Sequence, residues 1–367
     1  MKRTVAEQRG LQTIQPYVPG KPIEEVEREY GLSDIIKLAS NENPIGASPM
    51  ALDAIRDALP KINLYPDGRS YDLCQALAAH LGVEFEQVMV GNGIDGLIVQ
   101  LCLAYLDEDC EVIVSRSSFP VYDIYVHAMR ATLVKTPLKR YGLDLAAMAK
   151  AINDRTKMVF VCNPNNPTGT IVTAEEVEAF MAKVPPHVLV VFDEAYYEFL
   201  ASDEFPRSLG YIEEGRQNVI ILRTFSKIYG LAGIRLGYAI ADPGILGPMY
   251  KVKEPFAVNL LAQAAGMAAL KDEAFLRRSA GENDQGRRYL YAQFRRMGLE
   301  YIESHTNFVL VKIGAEALGI QRHLLEKGVI VRPCNGYELP EFLRVTVGNE
   351  AENSRFIRSL EEVLVDA

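Results

Sequence analysis

Five short apolar runs in this sequence each end in residues that can do chemistry. VMV at 88–90 is followed by GNGIDG, EVIVS at 111–115 by RSSFPVY, MVFVC at 158–162 by NPNNPTG, VLVVF at 188–192 by DEAYYEF and VIILR at 219–223 by TFSKIYGLAGIR. Lys227, read alone, is a solvated loop charge. With Thr224 and Ser226 before it and Arg235 eight residues on, it sits where cationic neighbours depress an amine's pKa and favour its nucleophilic form. Asp193 ends an otherwise wholly apolar strand, where a carboxylate needs a cation or donor. It fits a protonated heterocyclic nitrogen or, on the plainer reading, a neighbouring helix end; Tyr196 can reach the same ligand. The turn Gly91 to Asp95 opens an apolar helix and reads as a phosphate seat or as a tight turn with Asp95 as N-cap. Asn166 lies in a turn whose prolines and glycine would explain a plain loop equally well.

Such residues must be gathered by elements, and the same runs supply them. Strand-like segments alternate with helical ones up to LGYAI at 236–240, which predicts an α/β domain with a mostly parallel sheet and helices on both faces. In such sheets ligands sit beyond the carboxyl ends of the strands, where all these residues fall. Regular spacing places Asn166 and Asp193 at the ends of neighbouring strands. After about residue 270 the texture changes to long charged helical stretches, then FVLVKI, VIVRP and FLRVTVG. We read residues 41–270 as a large domain, 271–367 as a smaller α+β domain, and 1–40 as an arm that joins the small domain or a partner subunit.

Composition narrows the function. A net charge of −9 over 367 residues disfavours a general nucleic-acid or anionic-membrane binder, since both need a positive field. No stretch is apolar enough to span a bilayer or to act as a signal sequence, so a cytoplasmic location is expected. The five cysteines form no CxxC pair and the five histidines no ligand spacing, so neither a disulfide framework nor a metal site is expected.

SNENP at 40–44, YPDG at 65–68, NPNNPTG at 163–169, DEAYYEF at 193–199, TFSKIYGLAGIRLGYAIA at 224–241 and LRVTVG at 343–348 resemble the histidinol-phosphate aminotransferases, in the right order along nearly the whole chain. The resemblance implies a fold type I transferase dependent on pyridoxal 5'-phosphate. Lys227 would carry the cofactor as a Schiff base and shuttle the substrate proton, and Asp193 would pair with the pyridine nitrogen. Asn166 and Tyr196 would bond its phenolic oxygen, and Phe119 would stack on the ring. Its phosphate would take the N–H groups of Ile94 and Asp95, Ser226, Arg235, and Tyr65 of a second subunit, making a homodimer the active unit. Arg344, with Arg332 and Tyr17, would bind the acidic group of the substrate. The sequence departs from the family at Gly96, where an acid is usual, and at Ser117, where proline is frequent. The implied reaction is a double displacement between L-histidinol phosphate and 2-oxoglutarate, giving imidazole-acetol phosphate and glutamate. Rivals are a phenylalanine or tyrosine aminotransferase, a pyridoxal-phosphate decarboxylase of a phosphorylated amino acid, and a binding or regulatory protein that merely retains the fold.

Overall fold

Runs of β-branched and aliphatic residues four to seven long form strands here because both their faces are covered. In chain order the strands are β1 Ile36–Leu38, β2 Val88–Gly91, β3 Glu111–Ser115, β4 Thr132–Thr136, β5 Leu138–Lys139, β6 Gly142–Leu143, β7 Thr156–Cys162, β8 Leu189–Asp193, β9 Val219–Thr224, β10 Gly237–Ala241, β11 Tyr301–Ile302, β12 Phe308–Lys312, β13 Val329–Pro333 and β14 Phe342–Thr346. The computed structural model describes residues 5–365 apart from 6, 13, 15, 17–19 and 201–204.

A seven-stranded sheet runs β2-β10-β9-β8-β7-β3-β4. β8 and β9 are buried at every position, including their polar last residues Asp193 and Thr224. One apolar layer, with Val90, Val161, Val190, Phe192 and Ile221, packs under one face of the sheet; another, with Met89, Leu101, Phe160 and Val191, packs under the other. All neighbours are parallel except β10, antiparallel to both β9 and β2. LGYAI therefore reverses direction within the mostly parallel sheet. The reason is local: residues 225–236 contain turns and one short 3-10 turn, Ala232–Ile234, and no crossover helix of the kind a parallel return requires. β7 and β8 are neighbours, with Cys162 opposite Asp193, as the regular spacing predicts.

A five-stranded sheet runs β1-β13-β14-β12-β11, its only parallel pair being β1 with β13. Helices Glu273–Arg296, Ala317–Glu326 and Glu350–Val365 pack on it through Leu290, Phe294, Leu324, Phe356 and Leu360. Residues 39–41 lead from β1 toward the large sheet. They are held on arrival, for the Asn41 N–H donates to the Thr346 hydroxyl at the end of β14 at 2.9 Å.

Candidate active site

The ends of β2, β3, β7, β8 and β9 converge on a cavity of about 470 Å³, closed by residues 39–41 and by Arg344 from β14. Ile94, Asp95, Phe119, Asn166, Asp193, Tyr196, Ser226, Lys227, Arg235 and Arg344 all line it.

Lys227 lies in the turn after β9, partly buried, with its ammonium donating to the Ser40 carbonyl at 3.4 Å and standing 5.7 Å from the Tyr196 ring. Burial, and then the positive charges of Arg344 and Arg235, bring its pKa down to about 8, against the pull of Glu42 and Asp95. The amine is thus available as a free base near neutral pH. Burial acts first and the cations second, so the depression expected from cationic neighbours has a larger origin.

Asp193 is 2% exposed, and among the described residues no cation is bonded to it. The Tyr122 hydroxyl donates to Oδ2 at 2.5 Å and the Ala195 N–H to Oδ1 at 3.2 Å. Burial nevertheless raises its pKa from 3.8 to about 6. A protonated ring nitrogen in the cavity would supply the missing positive charge.

The helix Gly93–Tyr105 points its first turn at the same space. The N–H groups of such a turn have no partner within the helix, and the dipole favours an anion there. Gly93 has φ +70°, and a Cβ on it would fall 2.7 Å from Nη2 of Arg235. Glycine is thus favoured by the left-handed backbone, and a Cβ there would displace the guanidinium. Arg235, itself left-handed with φ 59°, reaches Asp95 at 3.0 Å and the Ser226 hydroxyl at 3.5 Å. Helix N–H groups, a hydroxyl and a guanidinium form a donor set suited to a phosphate monoester.

Tyr196 is held by Asn41, and Asn166 by Arg344. Asn41 Nδ2 donates to the Tyr196 hydroxyl at 2.9 Å, and burial pushes that phenol's pKa up. Arg344 donates through Nη1 to Asn166 Oδ1 at 2.5 Å and through Nη2 to the Ala39 carbonyl at 2.7 Å. Its guanidinium lies 5.3 Å from the Phe308 ring, a buried cation facing the cavity. Phe119 lines the cavity and meets Tyr122 edge-on at 5.6 Å, while Tyr122 stacks on Phe160 at 4.3 Å.

Two residues expected from the sequence lie elsewhere and a third is not described. Tyr65 is 83% exposed and stacks on Phe256 at 4.6 Å, outside this cavity. Arg332 pairs in register with Arg344, but its guanidinium packs 5.7 Å from the Tyr337 ring rather than lining the cavity. Tyr17 falls outside the described residues. Two participants were not anticipated. Tyr122 lies in the first turn of the helix Val121–Ala128, and its N–H donates to the Phe119 carbonyl at 3.3 Å, so it lies in the same strand-end motif, RSSFPVY. Asn41 lies in the SNENP motif, but only the fold brings it to Tyr196, 155 positions away. Among the described residues no cluster of three or more His, Cys, Asp or Glu side chains could hold a metal, and no helix is long and apolar enough to cross a membrane.

The site therefore fits a flat, phosphorylated pyridine carrying a carbonyl: an amine to bond it, a carboxylate lacking a cation for its nitrogen, and a seat for its phosphate. Comparison with known proteins agrees. The histidinol-phosphate aminotransferase of Moorella thermoacetica is 50% identical over 355 residues, 97% of this chain and 92% of that protein. Histidinol-phosphate aminotransferase 1 of Nitrosococcus oceani is 47% identical, over 97% of this chain and 96% of that one. The crystal structure of the histidinol-phosphate aminotransferase from Sinorhizobium meliloti in complex with pyridoxal-5'-phosphate superposes with a TM-score of 0.90 at 31% identity, covering 100% of this chain and 98% of that one. The model of the family "Aminotransferase class I and II" matches residues 33–360, and the chain belongs to that family.

Proposed function

We propose that this chain transfers the amino group of L-histidinol phosphate to 2-oxoglutarate with pyridoxal 5'-phosphate as cofactor, giving imidazole-acetol phosphate and glutamate. The observation that carries the reading is the convergence of Lys227, Asp193, the Arg235 phosphate seat and Arg344 on one cavity, in a chain whose close relatives bear that activity in their names. When bound, the cofactor supplies an electron-withdrawing ring that acidifies the substrate's Cα–H bond. Lys227 would hold it covalently and, once freed by the substrate amine, would carry the proton from the substrate Cα to the cofactor's former carbonyl carbon; a pKa of about 8 suits both tasks. Asp193 fixes the ring nitrogen in its protonated form, and Phe119 covers the ring. Asn166 and Tyr196 hold its phenolic oxygen. Ile94, Asp95, Ser226 and Arg235 orient the phosphate. Arg344 would bind the substrate's phosphate or carboxylate in turn, with Arg332 and Tyr17 as further contacts.

We read the active unit as a cytoplasmic homodimer in which Tyr65 crosses to the partner's phosphate seat. Ile62, Leu64, Tyr65 and Phe256 are apolar side chains left 43% or more exposed, which favours a covered face. The division into residues 1–40, 41–270 and 271–367 follows the change from the seven-stranded to the five-stranded sheet, with β1 belonging to the latter.

Initial rates with both substrates varied, together with kcat/KM for histidinol phosphate and phenylalanine on one preparation, test the reading. Parallel lines and a strong preference for histidinol phosphate are expected. Intersecting lines, a preference for phenylalanine, or carbon dioxide release without an oxo acid would refute it.

A further inference from the structure

Three consecutive residues between the two sheets each touch a different member of the site. The Ala39 carbonyl accepts from Arg344, the Ser40 carbonyl from Lys227, and the Asn41 side chain donates to Tyr196. The third contact is the most directional. Thr346 Oγ1 accepts from the Asn41 backbone N–H at 2.9 Å, so its own proton goes to Asn41 Oδ1, 3.2 Å away. That fixes the amide with its oxygen on Thr346 and Nδ2 on Tyr196. Asn307 Nδ2, donating to the Asn41 carbonyl at 2.9 Å, holds the same residue from behind. The backbone at Asn41 is left-handed, φ 57°, a conformation asparagine tolerates better than most residues. Asn41 is 2% and Tyr196 3% exposed, so water does not substitute for the contact.

We propose that Asn41 is a positioning residue that makes Tyr196 a hydrogen-bond donor toward the cavity. The Tyr196 oxygen is occupied as an acceptor by Asn41 Nδ2, so its single proton is free to point at whatever oxygen enters the cavity beside it. Accepting a hydrogen bond also polarises the hydroxyl and strengthens it as a donor. The same amide reaches Thr346, two residues from Arg344 on β14. The inference rests on the reading that Tyr196 donates to the cofactor's phenolic oxygen, which lowers the pH at which the bound cofactor's absorbance changes.

Three variants separate the inference from its premise. Asn41→Asp retains the shape and the acceptor for Thr346 but removes the donor to Tyr196. Asn41→Gly removes the whole side chain while tolerating the positive φ. Tyr196→Phe removes the phenol itself. Each is purified as the full chain, its apo form titrated with pyridoxal 5'-phosphate, and the absorbance of the loaded protein followed against pH. Tyr196→Phe and Asn41→Gly are expected to raise the spectral midpoint in the same direction, Asn41→Gly by the smaller amount. Asn41→Gly is also expected to weaken cofactor binding roughly fivefold, the effect of about one net hydrogen bond. In Asn41→Asp the phenol turns its proton to the new carboxylate, and the midpoint moves up at least as far as in Asn41→Gly. A shift in Tyr196→Phe with none in either Asn41 variant overturns the role of Asn41. No shift in Tyr196→Phe overturns the premise instead.

Discussion

Replacing Tyr122 by phenylalanine should move the titration of Asp193 by one to two pH units. The hydroxyl lies 2.5 Å from Oδ2, both groups are fully enclosed, and the phenol's face is held by Phe160, so the ring should stay in place when its oxygen is removed. A hydrogen bond to a charged group contributes about 1.5–3 kcal/mol, and one pKa unit corresponds to about 1.4 kcal/mol. Asp193 in the cofactor-free chain should therefore rise from about 6 to roughly 7 or 8, since the lost bond favoured the ionised form. The remaining surroundings do not compensate: Ala195 N–H still donates, Asp95 and Glu194 push in the same upward direction, and Cys162 is a thiol held up to about 12. Because the folded pKa is raised, ionising Asp193 costs stability as pH climbs from about 4 through 6; in Tyr122→Phe the loss should extend to roughly pH 8, a further 1.5–3 kcal/mol or so at alkaline pH. The carboxylic C=O infrared band of the apo protein, assigned by difference with Asp193→Asn, reads the titration directly. The dissociation constant of pyridoxal phosphate at pH 7 should rise in parallel. An Asp193 midpoint within a few tenths of a unit of the parent's would show that the Tyr122 bond does not hold the carboxylate in its ionised form.

Other perturbations probe the remaining walls. Gly93→Ala introduces a Cβ 2.7 Å from Arg235 Nη2 on a left-handed backbone, and should weaken cofactor binding about tenfold and lower Tm, as read by absorbance titration and calorimetry. Arg344→Gln removes the largest cationic influence on Lys227, so the amine's pKa should rise and the ascending limb of the pH profile for cofactor capture by the apo chain should move to higher pH, with a loss of about a hundredfold or more in kcat/KM. Mixing inactive Lys227→Ala chains with Tyr65→Phe chains should restore one site of parental cofactor affinity per hybrid dimer if Tyr65 crosses the interface; titration of the mixture measures it. Arg223, 2.8 Å from Glu194 in the core with its guanidinium 3.6 Å from the Tyr197 ring, should cost about 3–5 kcal/mol in denaturant unfolding when changed to leucine, much of it recovered in the double variant with Glu194→Leu.

What the sequence reveals of this protein depends on whether the signal is local. Strands β7, β8 and β9 are continuous apolar runs, and a polar residue at the end of such a run can only lie at the sheet's carboxyl edge; that is why Asn166, Asp193 and Lys227 were legible. Gly93 was legible for a similar reason, since its turn opens a helix. The direction of β10 was not, because apolar periodicity carries no information on strand polarity; only the shortness of residues 225–236 does. Asn41 was opaque for a different reason: its partners Tyr196, Thr346 and Asn307 are each more than 150 positions away, and contacts of that range are fixed by the packing of two sheets. Tyr65 is legible only through its motif, because in a single chain it is a surface ring.

The two shifted groups at the heart of the cavity explain one another's surroundings. Burial drives Lys227 down to about 8 and Asp193 up to about 6, so each is moved toward its neutral form in the same enclosed space. A fold selected for stability alone would pair them or replace both, since buried charges without partners are costly. Both line one cavity, and on the proposed function they would face opposite ends of one ligand. An amine near 8 retains enough free base to bond a carbonyl at neutral pH, and a carboxylate near 6 is ionised at neutral pH and gains most from a protonated ring nitrogen. Cofactor binding should thus stabilise the chain more at pH 8 than at pH 5, where Asp193 is protonated and Lys227 carries its proton. The measurement is the Tm difference between loaded and apo chains across that range. Equal differences at the two pH values would mean that neither titration is coupled to the ligand, and would remove the electrostatic basis for reading this cavity as a pyridoxal phosphate site.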